Sequence, residues 1–223
     1  MNDSIRMTFW REAETAHEAD AYAVLDAAYR QPHRAYHTWA HIEALLEGLR
    51  RFGPLAARPD LIAIAIFWHD AVHRARETDG RPRRDIQNVR ESVDMFRRYT
   101  KLRGDEAQAV DDLVMATADH AHARAATEHY PGFSGDLDLL IDLDLSPLAA
   151  PWEDFADNTR KIRQEAQGVE ETKFATDQAT MLESLTRGDA PIFRRAETRA
   201  LWDASARANL ERCIPRLRAS ARE

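Results

Sequence analysis

The longest unbroken apolar stretch of the chain runs from Leu61 to Trp68 and limits the folds that this sequence can adopt. It is far too short to cross a bilayer, because a membrane-spanning helix needs about 20 apolar residues. Its isoleucines would also suit a buried strand. No second segment has a convincing strand pattern to pair with it, so a helix buried on all sides is the better interpretation. The expected fold class is therefore all-α.

Composition and the spacing of turn signals agree with a helical chain. Only 8 of the 223 residues are glycine, and the sequence is rich in alanine, leucine, glutamate and arginine, which favour helices. Breaks that contain proline or glycine divide the chain into about eight segments. We predict helices over residues 6–30, 38–51, 59–73, 84–100, 105–122, 136–145, 151–187, with a candidate break at Gly168, and 192–213.

The length of the chain suits one domain with a sizeable core. We expect a single domain over residues 1–223. Within it, residues 33–150 should form the core that carries the candidate site. Residues 151–223 should form additional C-terminal helices packed on that core.

Charge and cysteine content exclude several classes of function. The net charge of −7 argues against a general nucleic-acid binder, although a metal ion or a few arginines could still hold a small phosphate substrate. Cys213 is the only cysteine, so no intramolecular disulfide can form. Residues 1–14 lack the apolar segment of a signal peptide, and no membrane partner is indicated. A cytoplasmic location is expected, and the oligomeric state stays open.

Two histidines, His37 and His41, have the spacing of metal ligands. If they share a helix, residues at i and i+4 lie one turn apart on the same face. Alone, this spacing also fits two histidines at a helix surface or at the edge of the core.

The pair His69-Asp70 closes the apolar stretch. An ionisable pair at the end of a buried helix must be compensated, because an unpaired buried charge is very costly. A metal ion compensates both groups, since imidazole nitrogen and carboxylate oxygen are common ligands. The alternative, favourable interaction of a histidine with the helix dipole, explains His69 but not Asp70. His73, four residues after His69, either joins this site or lies in solvent at the helix end.

A third histidine candidate follows the apolar positions of the segment 105–122. At 100° per residue, His120 falls about 20° from Leu113, on the inward face, whereas His122 falls about 180° away. We therefore expect His120 at the site and His122 in solvent. A hydrogen-bonded histidine at the edge of the core is the alternative for His120.

An aspartate in the segment 136–145 is the fourth candidate. In a helix, Asp144 lies within about 60° of Leu137 and Leu140, and a carboxylate on an apolar stripe needs a partner. Ser146 and Pro147 resemble the start of a new helix, which would shift the phase near residue 144. Asp142 is therefore kept as the alternative ligand.

Together, this order of histidines and aspartates resembles the HD superfamily of metal-dependent phosphohydrolases. The segment 36–41 is similar to one in the cyclic-nucleotide phosphodiesterases, a distant HD-type group, and 144–146 resembles the segment that carries that group's last metal aspartate. This resemblance implies that His37 is a general acid and that His41 binds metal.

A closer resemblance is to a bacterial family of uncharacterised predicted HD phosphohydrolases, and it covers nearly the whole chain. Its motifs resemble the segments 32–37, 69–72, 116–120, 142–145, 163–165 and 206–210. One departure concerns Val89, which stands where that family usually has a glutamate. If that glutamate orients the attacking water, Glu91 must replace it.

These observations and the resemblance predict a metal-dependent phosphohydrolase with an HD-type helical domain. It would use metal-activated water to cleave a phosphate ester, and nucleotides are among the candidate substrates. The divalent ion or ions would be Mn, Fe, Co, Ni or Zn rather than Mg alone, because histidine is among the ligands. If two ions bind, Asp70 would bridge them, and Arg34 and Arg163 are candidates to hold phosphate. We therefore assign catalytic roles to His37, Asp70 and Glu91 and substrate binding to Arg34 and Arg163. The predicted metal ligands are His41, His69, Asp70 and Asp144, and His120 is the candidate ligand of a second ion.

Two other functions stay open at this point. One is a metal-stabilised HD domain that binds a nucleotide or a partner protein without hydrolysis, which the valine at position 89 would permit. The other is a helical scaffold without metal, in which the histidines are structural.

Overall fold

A computed structural model describes residues 4–77, 79–81, 83–188 and 190–222. Within these residues the protein is all-α and forms no β-strand beyond isolated bridges. The ten α-helices are α1 (Ile5–Ala13), α2 (Ala21–Tyr29), α3 (Trp39–Phe52), α4 (Pro59–Trp68), α5 (Asp85–Tyr99), α6 (Gly104–Ala116), α7 (Phe133–Leu145), α8 (Trp152–Glu165), α9 (Glu171–Leu185) and α10 (Ala196–Ser220). Short 3₁₀ turns lie at Glu14–Ala16, Gly53–Leu55, Thr117–Asp119 and Ser146–Ala149.

The apolar stretch forms the centre of the fold as α4. Every residue from Leu61 to Trp68 is buried, and α4 contacts α1, α3, α5, α6 and α7. A helix that is apolar on all sides must be surrounded in this way. The prediction of a buried helix rather than a strand is confirmed.

The predicted single helix over 6–30 is wrong, because α1 and α2 are separate. The chain leaves the helix at His17, which bridges to Thr100. The Nδ1 of His17 lies 2.9 Å from the Ala13 carbonyl oxygen, and the Trp68 indole donates to its Nε2 at 2.9 Å. These tertiary contacts override a local sequence that favours a continuous helix.

Three other predicted helices also have boundaries that differ from the structure. The helix predicted over 59–73 ends at Trp68, and the one predicted over 105–122 ends at Ala116. The last helix starts at Ala196 rather than 192 and continues through Pro215 to Ser220. Arg212 and Arg216, on either side of that proline, both lie over the Trp152 ring, at 3.7 and 5.1 Å from its centroid. Cation–π contacts of this kind help to hold the end of the helix in place.

A glycine allows α3 and α7 to approach each other closely. A Cβ atom added at Gly48 would lie 2.6 Å from Leu143 Cδ2, which is closer than packing permits. These two helices carry His41 and Asp144. The close approach thus brings two candidate ligands together.

The C-terminal helices pack on the rest of the chain. As predicted, the segment 151–187 is interrupted near Gly168, which has φ of +78° and separates α8 from α9. The last helix, α10, packs against α9 and the turn at Ser146–Ala149. Asn209 fastens this contact by donating to the carbonyl oxygens of Leu148 and Ala150, both at 2.8 Å. None of the helices in the described residues combines the length and the apolar character that crossing a membrane requires.

Candidate metal centre and cavity

Two imidazole rings meet at the centre of the candidate site. His41 lies in the first turn of α3, and His69 directly follows α4. Both side chains are buried, and their Nε2 atoms are 3.3 Å apart. The Nδ1 of His69 donates to the Ile66 carbonyl oxygen at 2.9 Å, which leaves the Nε2 of a neutral ring free to bind a metal.

Two carboxylates complete this group of ligand atoms. Asp70 Oδ2 lies 3.1 Å from His69 Nε2 and 3.6 Å from His41 Nε2. Asp144 Oδ1 lies 3.3 Å from His41 Nε2 and 3.8 Å from His69 Nε2. Ligands that bind one ion at about 2.0–2.2 Å lie roughly 3.0–3.6 Å from one another. His41, His69 and Asp70 thus form a group that could hold a metal ion, with ligand atoms within 4.8 Å of one another, and Asp144 lies beside both imidazoles. We call these four side chains the metal-site cluster.

Charge in the cluster agrees with this geometry. Burial alone would raise the pKa of Asp70, but the neighbouring His69, His37 and His41 hold it well below its usual range. Burial would also raise the pKa of Asp144, but the neighbouring His69 and His120 lower it below its usual range. At His69, burial would lower the pKa, but the charges of Asp70 and Asp144 raise it to about 9. Two largely buried carboxylates, with side chains 16% and 10% exposed, thus require positive charge, which a divalent ion would supply.

His37 lies in the turn before α3 and not within it, so the prediction that it shares a helix face with His41 is wrong. The two rings are nevertheless close, with centroids 5.8 Å apart. Glu165, the last residue of α8, holds His37 in place. Its Oε2 lies 2.5 Å from His37 Nδ1, and its Oε1 accepts the backbone N–H groups of Ala35, Tyr36 and His37 at 2.7–2.9 Å.

A second group of ligand atoms adjoins the first and shares Asp70 with it. It consists of His37, Asp70 and His73, and its ligand atoms lie within 4.8 Å of one another. The rings of His37 and His73 stack with their centroids 3.8 Å apart. His73 Nε2 also lies 3.4 Å from Glu165. His73, which the sequence left open, thus lies at the site.

The two histidines that follow α6 lie in different surroundings. His120 Nε2 is 2.7 Å from Asp144 Oδ2, whereas His122 is exposed and pairs with Asp119 at 3.0 Å. This is the arrangement that the sequence predicts. The physical reason differs from the one used for the prediction, however. Because α6 ends at Ala116, the position of His120 is set by the 3₁₀ turn at Thr117–Asp119 and not by a regular helical phase.

Asp142 lies outside the metal-site cluster. The helix α7 extends to Leu145 without a change of phase, so Asp142 faces α10 instead. It accepts the backbone N–H groups of Arg194 and Arg195 at 2.7 and 2.8 Å and the Thr198 hydroxyl at 2.5 Å. Burial raises its pKa against these hydrogen bonds. Asp142 therefore holds the two residues that precede α10 and a side chain of its first turn.

Neither arginine predicted to hold phosphate faces the site. Arg34 is buried and donates to Gln31 and to the carbonyl oxygens of His37, Asp70 and Ala71 at 2.7–3.2 Å. It shapes the loop around the cluster and is not available to a ligand. This corrects the expectation that it binds substrate.

Arg163 is likewise committed elsewhere. It pairs with Glu171 at 2.6 Å, donates to the carbonyl oxygens of Ala166 and Val169, and lies over the Phe174 ring. These contacts hold the connection between α8 and α9. The prediction that Arg163 binds phosphate is also corrected.

Glu91 does not face the cluster either. It forms short ion pairs with Arg74 and Arg83, which lower the pKa of its carboxyl group against the effect of burial. Val89 is buried in the cavity wall beside the cluster. Asp85, one turn earlier in α5, is exposed and lines the same cavity. If a carboxylate from α5 acts at this site, Asp85 is better placed than Glu91.

The metal-site cluster lies in the wall of a cavity. Besides the cluster, Tyr36, His37 and His120 line it, and much of the remaining wall comes from α8, α9 and the turn at Ser146–Ala149. Burial, with the charges of Asp144 and Asp70, raises the pKa of the Tyr36 hydroxyl, so this residue stays a neutral donor. The arrangement can hold a cation, bind a ligand beside it, and present an imidazole from the flank.

Glu165 was missed by the sequence analysis. The only signal for Glu165 was its place in the segment 163–165, in which the sequence analysis assigned a role to Arg163 alone. No protein-family model matches the chain, and no curated protein is similar enough to count as a match. We therefore infer the function from the residues of the site alone.

Proposed function

We propose that this protein is a metal-dependent phosphohydrolase of the HD type. The observation that carries the proposal is the convergence of four candidate ligand side chains, two imidazoles whose Nε2 atoms are 3.3 Å apart and two carboxylates whose oxygens lie 3.1–3.8 Å from those nitrogens, with an oriented imidazole beside them. Those ligands are His41, His69, Asp70 and Asp144. The second group shares Asp70 and contains His37, so His37 can either bind another ion there or donate a proton, and we assign it the second role.

The residues of the chain would divide the work as follows. A bound divalent ion would lower the pKa of a coordinated water and polarise a phosphoryl oxygen. Glu165 holds the Nδ1 edge of His37, so the Nε2 edge is left to deliver a proton to the leaving oxygen. His120 and His73 line the adjoining space and can donate hydrogen bonds to phosphate, in place of Arg34 and Arg163.

A second candidate function is a metal-stabilised domain that binds a nucleotide or a protein without hydrolysing anything. One observation favours it: position 89 carries a buried valine, and Glu91 is held by two arginines away from the cluster. Asp85 is the carboxylate of α5 that lines the cavity. Turnover separates the two functions.

The decisive experiment measures metal first and activity second. Protein purified without chelator is analysed for bound elements and then assayed on phosphomonoesters and phosphodiesters with added Mn²⁺ or Co²⁺. We expect bound transition metal and hydrolysis, both lost in His69→Ala and both kept in the matched control His122→Ala. Metal without turnover on any phosphate would favour the binding domain, and a folded wild-type protein that binds no metal would contradict both.

A further inference from the structure

Apart from Asp85, the part of the cavity beyond the metal-site cluster and its neighbouring histidines has no charged side chain and is largely apolar. Its apolar wall combines residues from the end of α7, the following turn, α8 and α9. The members are Leu145, Pro147, Leu148, Phe155, Ile162, Met181, Leu182 and Leu185. Among the described residues, no lysine or arginine lines this cavity.

Two primary amides interrupt the apolar wall. Asn158 from α8 and Gln178 from α9 both line the cavity and are half-buried. Within the described part of the chain, neither side chain has a hydrogen-bond partner. Each amide carries donors and an acceptor, so each can hydrogen-bond to an uncharged polar group of a ligand in this cavity.

The charges near this space are unfavourable to further phosphate groups. Asp85 lines the cavity along with the carboxylates of the cluster. Arg74 and Arg83 lie in an adjoining cavity, but both already pair with Glu91. Additional phosphates would therefore meet no unpaired arginine in the described residues and would face a carboxylate.

On the basis of the proposed function, we propose that the substrate is a monophosphate ester of an uncharged heterocyclic compound, such as a nucleoside monophosphate. The heterocycle lies between α8 and α9, with its polar edge on Asn158 and Gln178 and its faces on Phe155, Leu182 and neighbouring apolar residues. The phosphate lies at the cluster. Nucleoside di- and triphosphates are poor substrates, because nothing offsets their extra charge.

The test compares kcat/KM for nucleoside mono-, di- and triphosphates with that for phenyl phosphate, which lacks the polar edge. In Asn158→Ala and Gln178→Ala we expect kcat/KM for the best nucleoside monophosphate to fall about tenfold, as for one lost hydrogen bond. The value for phenyl phosphate and the metal content should stay the same. Gln164→Ala is the matched control, because Gln164 is exposed on α8 and does not line the cavity.

The outcomes distinguish this inference from the proposed function. Hydrolysis with a preference for triphosphates, or equal losses on phenyl phosphate and the nucleotide, would overturn the substrate assignment while the phosphohydrolase stands. If the wild type hydrolyses no phosphate, binding of a nucleoside monophosphate is measured by calorimetry. Binding that weakens about tenfold in Gln178→Ala would support the amide subsite alone, and no binding would overturn it.

Discussion

Glu165 and His37 are separated by 128 positions in the sequence, yet their side chains form one unit. The carboxylate accepts three consecutive backbone N–H groups of the histidine loop and the imidazole as well. Burial would raise its pKa, but hydrogen bonds from His37 and His73 keep that pKa far below the usual range. If His37 donates a proton as proposed, Glu165 is a positioning residue that acts through it.

The exchange His37→Ala should leave metal and fold intact but remove most hydrolysis of substrates with poor leaving groups. A general acid contributes about 10²–10⁴-fold, and a nitrophenolate leaving group needs less protonation than an alkoxide. The ratio of kcat values for alkyl and nitrophenyl phosphates measures this effect. Equal losses on both substrates, or loss of metal, would mean that His37 has another role.

Glu165→Gln should change the same ratio in the same direction, but by a smaller factor of about ten, because an amide orients the ring less strongly than a carboxylate. The pH profile of kcat should also shift, which a purely structural role would not produce. A matched exchange at the exposed Glu153 should leave both readouts unchanged. An unaltered ratio in Glu165→Gln would remove its positioning role.

His17 makes stability depend on pH. Burial lowers its pKa below the usual value of 6.5, so the unfolded state binds a proton before the folded state does. The contribution of His17 is complete above pH 6.5 and is lost as pH falls through the folded-state pKa. We expect His17→Leu to cost about 1–3 kcal/mol at pH 7.5, because Trp68 Nε1 loses its acceptor, and less at pH 5.5.

Urea unfolding of the two proteins at both pH values measures this difference. His122→Leu, at an exposed histidine, should change stability by less than about 0.5 kcal/mol at either pH. A cost for His17→Leu that grows toward low pH would show that the sign is wrong.

At the scale of elements, the helical pattern was predictable and its ends were not. The unbroken apolar stretch identifies α4 as a buried helix, and the helical spacing of apolar residues identifies Asp144 as the inward aspartate of α7. Helix ends depend on tertiary partners: α2 is separated from α1 by contacts of His17 with Trp68 and Thr100. The partners of Arg34 lie up to 37 positions away, so its engagement could not be read from neighbouring residues.

The helix α7 carries one aspartate that stabilises the contact with α10, Asp142, and one that belongs to the metal-site cluster, Asp144. Asp142→Ala leaves two backbone N–H groups without their acceptor and leaves the Thr198 hydroxyl only the Arg195 carbonyl oxygen as acceptor. We expect it to lower stability by about 2–4 kcal/mol and to keep the metal. Asp144→Ala should lose metal. Elemental analysis combined with urea unfolding separates the two, and metal loss in a folded Asp142→Ala protein would contradict the assignment.

At the scale of the whole molecule, the candidate site joins distant parts of the chain. Its residues come from the loop before α3, from α3, from the end of α4, from α7 and from α8. The sequence predicted the histidines and aspartates, because their residue types and burial are local properties. It did not predict Glu165 or the apolar wall of α8 and α9, because those depend on how the C-terminal helices pack.

Because the cluster exists only when α3, α4 and α7 are packed together, metal binding should stabilise the whole fold. A ligand at 100 times its Kd adds about 2.7 kcal/mol, which for a protein of this size raises Tm by roughly 5–10 °C. The measurement is the difference in Tm between chelator-treated protein and the same protein with Mn²⁺ or Zn²⁺ restored. In His69→Ala and Asp70→Ala this difference should vanish, whatever the exchange does to the baseline Tm. His122→Ala should keep the full difference, and a metal-dependent shift that survives in both cluster variants would place the ion elsewhere.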